Sequence, residues 1–362
     1  MRILTGQPLR SLFRMGGAHI GRGPRKTLLH SASTAASTAA QTEAEVYSTI
    51  ADFRRARREF PHDASVGFVP TMGALHEGHI NLFRRARREC NIVVGSVFVN
   101  PAQFAPHEDL DRYPRQLDRD LELLGAEGLA DLVFAPSEEH MYSRDHRMYI
   151  DPVGFDDLPE GVARPGFFRG VTTIVTKLLN VVQPDVAYFG QKDALQCVSV
   201  KKLVKDLNMP VEVVVSETTR EPDGLAMSSR NAYMSKEERA AAPVVYLSLQ
   251  AAANARTQAA EAGRHASREE IVSAAEEILS AEPLVTGVDY LSVGSPDTME
   301  ELEEVGGEGA VISVALRIGS IRLIDNIVLP PVPDVFSPSP SPALETAGGA
   351  SSVDDQPSAS SK

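Results

Sequence analysis

The chain has 362 residues, a length typical of about two domains, and 43% of its residues are apolar, which is enough to build a buried core. The net charge of −13, the 6% aromatic content and the absence of Trp argue against a protein that grips a phosphate backbone or stacks nucleic-acid bases. No apolar run approaches the ~20 residues that a membrane-spanning helix needs. Cys90 and Cys197 are too few for a disulfide framework or a four-cysteine zinc site, so we interpret both as small buried residues of an intracellular, reduced protein.

The two ends of the chain differ in composition from the rest. Residues 1–42 contain several basic residues and no acid, and they finish in a Ser/Thr/Ala tract. This composition is typical of an organellar transit peptide, and an ordinary disordered extension is the alternative. We therefore expect residues 1–45 to lie outside the fold of a cytoplasmic or mitochondrial protein. Residues 331–362 are rich in Pro, Ser, Ala and Gly, and we expect a disordered tail.

Between these ends, hydrophobic patterning predicts strands that alternate with helices. The predicted strands cover residues 66–69, 92–99, 132–135, 186–189 and 211–216. The first predicted helix begins near Gly78. The next three cover residues 117–124, 171–182 and 193–208. The continuous apolar run at 92–99 is typical of a strand that is buried on both faces of a parallel sheet. The alternation favours an α/β fold with a doubly wound parallel sheet.

The pattern changes after about residue 217. Two long Ala/Glu-rich helices are predicted first, and three strands that are able to pair follow them. These elements cover residues 236–262, 267–282, 288–293, 310–316 and 321–329. We place the domain boundary near the turn sequence at 221–224 (EPDG). The predicted domains are therefore residues 46–217 and a smaller α+β domain over residues 218–330.

Residues 70–79 (PTMGALHEGH) lie where a predicted strand passes into a helix, the position at which open α/β sheets bind ligands. Gly73 and Gly78 allow the backbone to turn tightly and to approach a ligand closely. The N-terminus of the helix suits a phosphate, and His76 and His79, three residues apart, point the same way. Two imidazoles could also hold zinc, but the spacing is one residue short of His-Glu-x-x-His and no third ligand is evident. We therefore favour phosphate contact.

Two other segments also carry groups suited to a polyphosphate. In residues 189–196 (FGQKDALQ), Gly190 allows close approach and Lys192 suits a phosphate, while Asp193 either caps the next helix or binds a ribose hydroxyl. Residues 223–231 (DGLAMSSRN) place two hydroxyls and a guanidinium in one loop. That loop either wraps a triphosphate or simply caps the helix that follows.

A fourth segment, residues 98–104 (FVNPAQF), lies at another strand end. Asn100 and Gln103 carry amides that both donate and accept hydrogen bonds, so they are able to orient a hydroxy acid without adding charge. Capping of the turn around Pro101 is the alternative interpretation.

Together, the blocks at 70–79, 98–104, 189–193 and 225–231 resemble, in order and spacing, the signature of the pantothenate synthetase (pantoate–β-alanine ligase) family within the nucleotidylyltransferase superfamily. Residues 317–326 (RIGSIRLIDN) resemble its C-terminal block, and the likeness extends over about residues 46–330. The resemblance implies a Rossmann-like domain for ATP and pantoate, followed by a smaller lid domain. One departure is Phe167, which stands where the family commonly has His.

The resemblance implies a ligase that uses ATP to join pantoate and β-alanine through a pantoyl adenylate, with release of AMP and pyrophosphate. The alternative is another adenylate-forming nucleotidylyltransferase that acts on a different small carboxylic acid. The residues expected to act in catalysis are His76, His79, Lys192 and Arg230, with His79 as the proton donor to the leaving group. The residues expected to contact ATP are Met72, His76, His79, Gly190, Gln191, Lys192, Asp193, Thr219, Met227, Ser228, Ser229 and Arg230. The residues expected to hold pantoate or β-alanine are Asn100, Gln103 and Gln196.

The resemblance also implies Mg²⁺ that travels with the triphosphate and takes few protein oxygens. Asp120 resembles a family position near that ion, and a plain exposed helix acid is the alternative. The expected partners are the small substrates and a second copy of the chain in a homodimer, with no nucleic acid and no membrane. The loop at 227–230 is expected to close over the site, because an adenylate must be kept from water.

Overall fold

A computed structural model describes residues 44–106 and 108–331 of the chain. The transit-peptide and tail predictions fall almost wholly outside these described residues and stay predictions. Within residues 44–106 and 108–331, none of the helices combines the length and apolar character that crossing a bilayer requires.

Six parallel strands form a central sheet in the order β1-β4-β3-β2-β5-β6. They are β1 (Glu45–Tyr47), β2 (Val66–Thr71), β3 (Ile92–Val97), β4 (Leu132–Phe134), β5 (Val186–Gly190) and β6 (Glu212–Ser216). The strand order reverses between β2 and β5, so the carboxyl ends of these two strands border the crevice of a doubly wound sheet. This architecture confirms the predicted Rossmann-like fold. Strand β1 was not predicted, because three residues are too few to show an alternating pattern.

Helices cover the central sheet. They are α1 (Ile50–Arg57), α2 (Glu77–Glu89), α3 (Leu117–Ala126), α4 (Glu138–Met141), α5 (Pro159–Ala163), α6 (Phe167–Val182) and α7 (Ala194–Asp206). Successive strand residues enter two different hydrophobic clusters, as the pleat requires: Phe68 packs with α1, α6 and α7, and Val69 packs with α2 and α3. Cys90 and Cys197 are free and buried in these clusters, which confirms the prediction for them.

The C-terminal part builds a second sheet, which is antiparallel and has the order β11-β10-β8. Its elements are α8 (Lys236–Ala241), α9 (Val244–Glu261), β7 (Ala266–Ser267), α10 (Arg268–Ser280), β8 (Val285–Gly294), β9 (Glu304–Val305), β10 (Ala310–Ile318) and β11 (Ile321–Leu329). The single helix predicted over 236–262 is wrong. Pro243 separates α8 from α9, because proline lacks the N–H that a continuous helix needs. The last strand of the parallel sheet ends at Ser216, and all strands of the second sheet come later in the chain. The predicted domain limits themselves stay predictions.

The turn after β3 packs tightly against helix α6. The Nδ2 atom of Asn100 donates to the carbonyl oxygen of Gly170 over 3.2 Å. A Cβ atom placed on Gly170 would lie only 2.3 Å from the carbonyl oxygen of Ala102. The absence of a side chain at Gly170 therefore allows the turn that carries Gln103 to lie against the helix.

We expect Gly170→Ala to lower the free energy of unfolding by about 1–3 kcal/mol, because the added methyl overlaps backbone atoms. Gly125→Ala is a matched control, since a Cβ there would meet no atom within 4 Å. In helix α3 that substitution should leave the stability unchanged or raise it by up to about 1 kcal/mol. Urea denaturation measures both variants, and wild-type stability in Gly170→Ala would show that the contact is not tight.

Candidate active site

A cavity of about 220 Å³ opens at the carboxyl ends of β2 and β5. Most of the side chains predicted from the sequence line it, although they come from loops far apart along the chain. These lining residues are Met72, His76, His79, Asn100, Gln103, Gly190, Lys192, Asp193, Gln196, Thr219, Met227, Ser228, Ser229 and Arg230. The structure thus brings together all the predicted residues except Asp120 and Gln191.

The two histidines take their orientation from the start of helix α2. The Nδ1 atom of His76 accepts a hydrogen bond from the N–H of Gly78 over 3.1 Å, and Nδ1 of His79 accepts one from the N–H of His76 over 3.4 Å. Because each Nδ1 is an acceptor, a neutral ring carries its proton on Nε2. A Cβ on Gly78 would lie 2.9 Å from the His76 ring, so the glycine makes room for this arrangement.

The surroundings of both imidazoles lower their pKa values, which favours the neutral rings at pH 7. Burial, reinforced by the charge of Lys192, lowers the pKa of His76 to about 4. Burial, with smaller contributions from His76 and Lys192, lowers the pKa of His79 to about 3. The role of His79 as the proton donor to the leaving group stays a prediction. With both rings neutral, the pair presents two Nε2–H hydrogen-bond donors to the cavity.

Asp120 lies beneath the loop that carries the histidines. It is fully buried, and its two carboxylate oxygens accept hydrogen bonds from the N–H groups of Ala74 and Leu75 over 2.9 and 2.8 Å. Ala74 has a φ of 51°, a conformation that residues other than glycine rarely adopt, and these bonds stabilise it. Asp120 is therefore not an exposed helix acid. Its place near magnesium stays a prediction, because Asp120 does not line the cavity and each of its oxygens already accepts one backbone hydrogen bond.

A metal site built from protein ligands finds no support in the part of the chain that the structure describes. No group of three or more His, Cys, Asp or Glu residues there is arranged to hold a metal ion. The zinc alternative for His76 and His79 therefore lacks a third ligand.

The loop after β5 is held by the C-terminal sheet. The Nδ2 atom of Asn326 donates to the carbonyl oxygens of Gln191 and Lys192 over 2.8 and 2.9 Å. The Nε2 atom of Gln191 donates to Oδ1 of Asn326 over 3.1 Å, so this side chain is engaged away from the cavity that it was predicted to line. The Lys192 ammonium does line the cavity and lies 3.8 Å from the Asp193 carboxylate. Asp193 makes no side-chain capping bond to helix α7, in contrast to the capping interpretation.

The amides after β3 form a connected network. The Nδ2 atom of Asn100 donates to Oε1 of Gln103 over 2.8 Å, and the Tyr142 hydroxyl donates to Oδ1 of Asn100 over 2.8 Å. Gln103 donates from Nε2 to the sulfur of Met72 over 3.3 Å, and a second hydrogen stays on that nitrogen. The network fixes Gln103 so that the group it offers to a ligand is an N–H donor, which suits a carboxylate.

The loop at 227–230 lies across the cavity from the histidines. The hydroxyl of Ser229 donates to the carbonyl oxygen of Ala74 over 3.0 Å, and the hydroxyl of Ser228 accepts from the N–H of Arg230 over 3.3 Å. Ser228 thus caps only the short turn Ser229–Tyr233, while helix α8 is capped by Ser235 and not by this loop. The Arg230 guanidinium forms a two-point ion pair with Asp109, a residue that sequence reasoning did not single out.

Comparison with known families agrees with this geometry. A family model described as pantoate–β-alanine ligase matches residues 45–328. The chain belongs to the pantoate–β-alanine ligase family. It is 52% identical over 285 residues to the pantothenate synthetase of Chloroflexus aggregans, across 79% of this chain and 99% of that protein. Family membership makes the chain an enzyme, a ligase of pantothenate biosynthesis.

Solved structures of the same family share the fold. The pantothenate synthetase of Thermus thermophilus superposes with a TM-score of 0.72 at 46% identity, over 79% of this chain and all (100%) of that one. The pantoate–β-alanine ligase of Francisella tularensis, solved in complex with β,γ-ATP and β-alanine, gives a TM-score of 0.65 at 32% identity, over 79% of this chain and 97% of that one.

Phe167, which stands where the family commonly has His, packs against an arginine in this structure. Phe167 is buried, and the guanidinium of Arg164 lies 3.8 Å from the centre of its ring. Arg164 also donates to both oxygens of Glu108 over 2.7 and 2.8 Å and to the carbonyl oxygen of Gln103 over 3.1 Å. This stretch therefore supports the Gln103 turn through a stacked arginine. Further lining residues that sequence reasoning missed are Tyr113, Arg164, Glu217 and Thr218.

We expect neither His76 nor His79 to titrate between pH 5 and 8. In the unfolded chain both histidines bind a proton near the ordinary histidine pKa of 6.5, and in the folded chain their pKa values are lower. Protons therefore bind the unfolded chain better, and the free energy of unfolding falls as the pH drops from 6.5 towards 4. Carbon–proton NMR spectra of the imidazoles, assigned with His76→Gln and His79→Gln, measure this directly. An apparent pKa near that of a free histidine peptide, in either ring, would contradict the buried neutral pair.

Proposed function

We propose that this enzyme uses ATP to join pantoate to β-alanine through a pantoyl adenylate, releasing AMP and pyrophosphate. The observation that carries the proposal is the convergence of His76, His79, Lys192 and Arg230 on one cavity that Gln103 and Gln196 also line. Donors suited to a polyphosphate thus lie beside amides suited to a small hydroxy acid. The β,γ-ATP and β-alanine bound to the Francisella tularensis relative agree with this substrate set.

In the first step, a carboxylate oxygen of pantoate attacks the α-phosphorus of ATP. The new P–O bond forms as the bond to the bridging oxygen breaks, and pyrophosphate leaves with the electron pair. Negative charge grows on the leaving group, so catalysis requires fixed donors around it. The neutral Nε2–H groups of His76 and His79, the Lys192 ammonium and the Arg230 guanidinium supply them. The Ser228 hydroxyl is a further donor, whereas the Ser229 hydroxyl gives its one hydrogen to the carbonyl oxygen of Ala74.

In the second step, the amine of β-alanine attacks the acyl carbon of the adenylate. The C–N bond forms, the nitrogen loses a proton, and AMP leaves with the electron pair of the broken C–O bond. Gln103 and Gln196 hold the pantoyl group, and Asn100 keeps Gln103 in place. Met72, Gly190, Asp193, Thr219 and Met227 line the nucleotide part of the site. The loop at 227–230 closes the cavity and protects the adenylate from water.

Other parts of the proposal rest on the family resemblance. Magnesium is part of the substrate, as the complex with ATP, and would neutralise charge on the triphosphate. The proposal assigns no ligand role to Asp120, because its oxygens accept hydrogen bonds from the backbone. The enzyme acts as a homodimer in the cytoplasm or in the mitochondrion. Analytical ultracentrifugation and N-terminal sequencing of the native protein address these two points.

The reaction is tested with two assays on the full chain. We expect release of AMP to require ATP, pantoate and β-alanine together. We expect exchange of labelled pyrophosphate into ATP to require pantoate and not β-alanine, because the adenylate forms before the amine acts. Exchange that is supported better by another small acid would instead identify an adenylate-forming enzyme of different specificity.

We expect His79→Ala to slow pantoate-dependent pyrophosphate exchange by about 10²-fold or more, the usual effect of removing one fixed donor to developing charge. His79→Gln keeps a neutral N–H and should retain more activity than the alanine variant. His62→Ala, at an exposed position, is the control and should exchange at the wild-type rate. Near-normal pyrophosphate exchange in His79→Ala would show that His79 does not stabilise charge on the leaving group.

A further inference from the structure

One acidic side chain contacts the loop at 227–230 through its arginine. The Nε and Nη2 atoms of Arg230 donate to the two carboxylate oxygens of Asp109, both over 2.9 Å. The Asp109 side chain is only 14% exposed, so solvent screens this pair less than it screens a surface ion pair. The bond is therefore a directional two-point contact, the geometry in which arginine is held most rigidly.

The two-point contact uses only one edge of the guanidinium. Among the described residues, Nη1 of Arg230 donates to no protein acceptor, and Arg230 lines the cavity. A phosphate oxygen can therefore bind Nη1 while Asp109 keeps the opposite edge. Arg230 is able to bind the Asp109 carboxylate and a phosphate oxygen at the same time.

The segment that carries Asp109 is itself anchored to the surrounding structure. Its neighbour Glu108 forms a two-point pair with Arg164, and the hydroxyl of Tyr233 donates to the carbonyl oxygen of Arg112 over 3.0 Å. Two contacts therefore hold the segment around Asp109: the Glu108–Arg164 pair, and a bond from Tyr233, which lies in the same short turn as Arg230.

We propose that Asp109 is a positioning residue that orients Arg230 so that its Nη1 edge meets the polyphosphate of ATP. The inference rests on the proposed function for the identity of the ligand. Asp109 itself does not line the cavity of about 220 Å³. Its effect passes through Arg230, and so it should be seen in the binding and reaction of ATP and not in the binding of β-alanine.

The test compares Asp109→Asn with Asp111→Asn, the same change at an exposed position of the same segment. An amide has no charge and one acceptor atom where the carboxylate has two, so the two-point contact is lost. We therefore expect the KM for ATP to rise and kcat to fall, each about tenfold, the scale of one lost hydrogen bond to a charged group. The KM for β-alanine should not change, and Asp111→Asn should match the wild type. Asp109→Glu keeps a carboxylate and should recover part of the loss.

A double-mutant cycle separates positioning from general damage to the fold. In an Arg230→Met background, Asp109→Asn should change the KM for ATP by less than about twofold, because the charged group it acts through is gone. Undiminished effects in that background would overturn the proposal. So would a lower KM for ATP in Asp109→Asn, because Asp109 would then compete with phosphate for Arg230.

A binding measurement keeps this inference distinct from the proposed reaction. Calorimetric titration of the full chain with a non-hydrolysable ATP analogue compares wild type, Asp109→Asn and the cycle variants without turnover. Weaker binding in Asp109→Asn, in a chain that releases no AMP with pantoate and β-alanine, would reject the proposed reaction and support the positioning role. Equal analogue binding in wild type and Asp109→Asn would reject the positioning role, whatever the reaction proves to be.

Discussion

The buried carboxylate of Asp120 is the contact on which the geometry of the site depends most directly. It holds the N–H groups of Ala74 and Leu75 and so fixes a left-handed turn at the residue between Gly73 and Leu75. The histidines follow this turn immediately, and the Ser229 hydroxyl binds the carbonyl oxygen of the same Ala74. An unpaired buried carboxylate would be highly unfavourable, so the acid and the strained loop stabilise each other. One buried interaction thus holds the histidine loop in place, and through Ala74 it also holds the point at which Ser229 contacts that loop.

The second sheet contributes to the site mainly through ion pairs and backbone contacts. Asn326 binds the carbonyl oxygens on either side of the Gln191–Lys192 peptide, and Arg322 forms a two-point pair with Glu160 over 3.1 and 2.7 Å. Buried ion pairs add little net stability, but they specify geometry, because each charge tolerates few other partners. The C-terminal sheet therefore holds the backbone that carries Lys192.

Sequence reasoning predicted the regular elements well where the physical signal was local. Apolar runs identified the buried strands β2 and β3, and the polar segments at strand ends identified most of the cavity lining. It failed where the signal was short or interrupted, as at β1 and at Pro243. The contact of Gln191 with ATP stays a prediction. The bond from its side chain to Asn326, a partner more than a hundred residues away, has no signal in the local sequence.

The sequence by itself therefore determined the type of fold, the family and the chemical identity of most groups around the cavity, because hydrophobic periodicity and motif order are written along the chain. Tertiary structure alone decided the protonation of the histidines, the use of Asp120 as a backbone acceptor, and the pairing of Arg230 with Asp109. Each of these depends on burial and on contacts between residues distant in sequence. Desolvation and hydrogen-bond geometry arise only when folding brings those residues together. A local sequence pattern therefore cannot predict these three features.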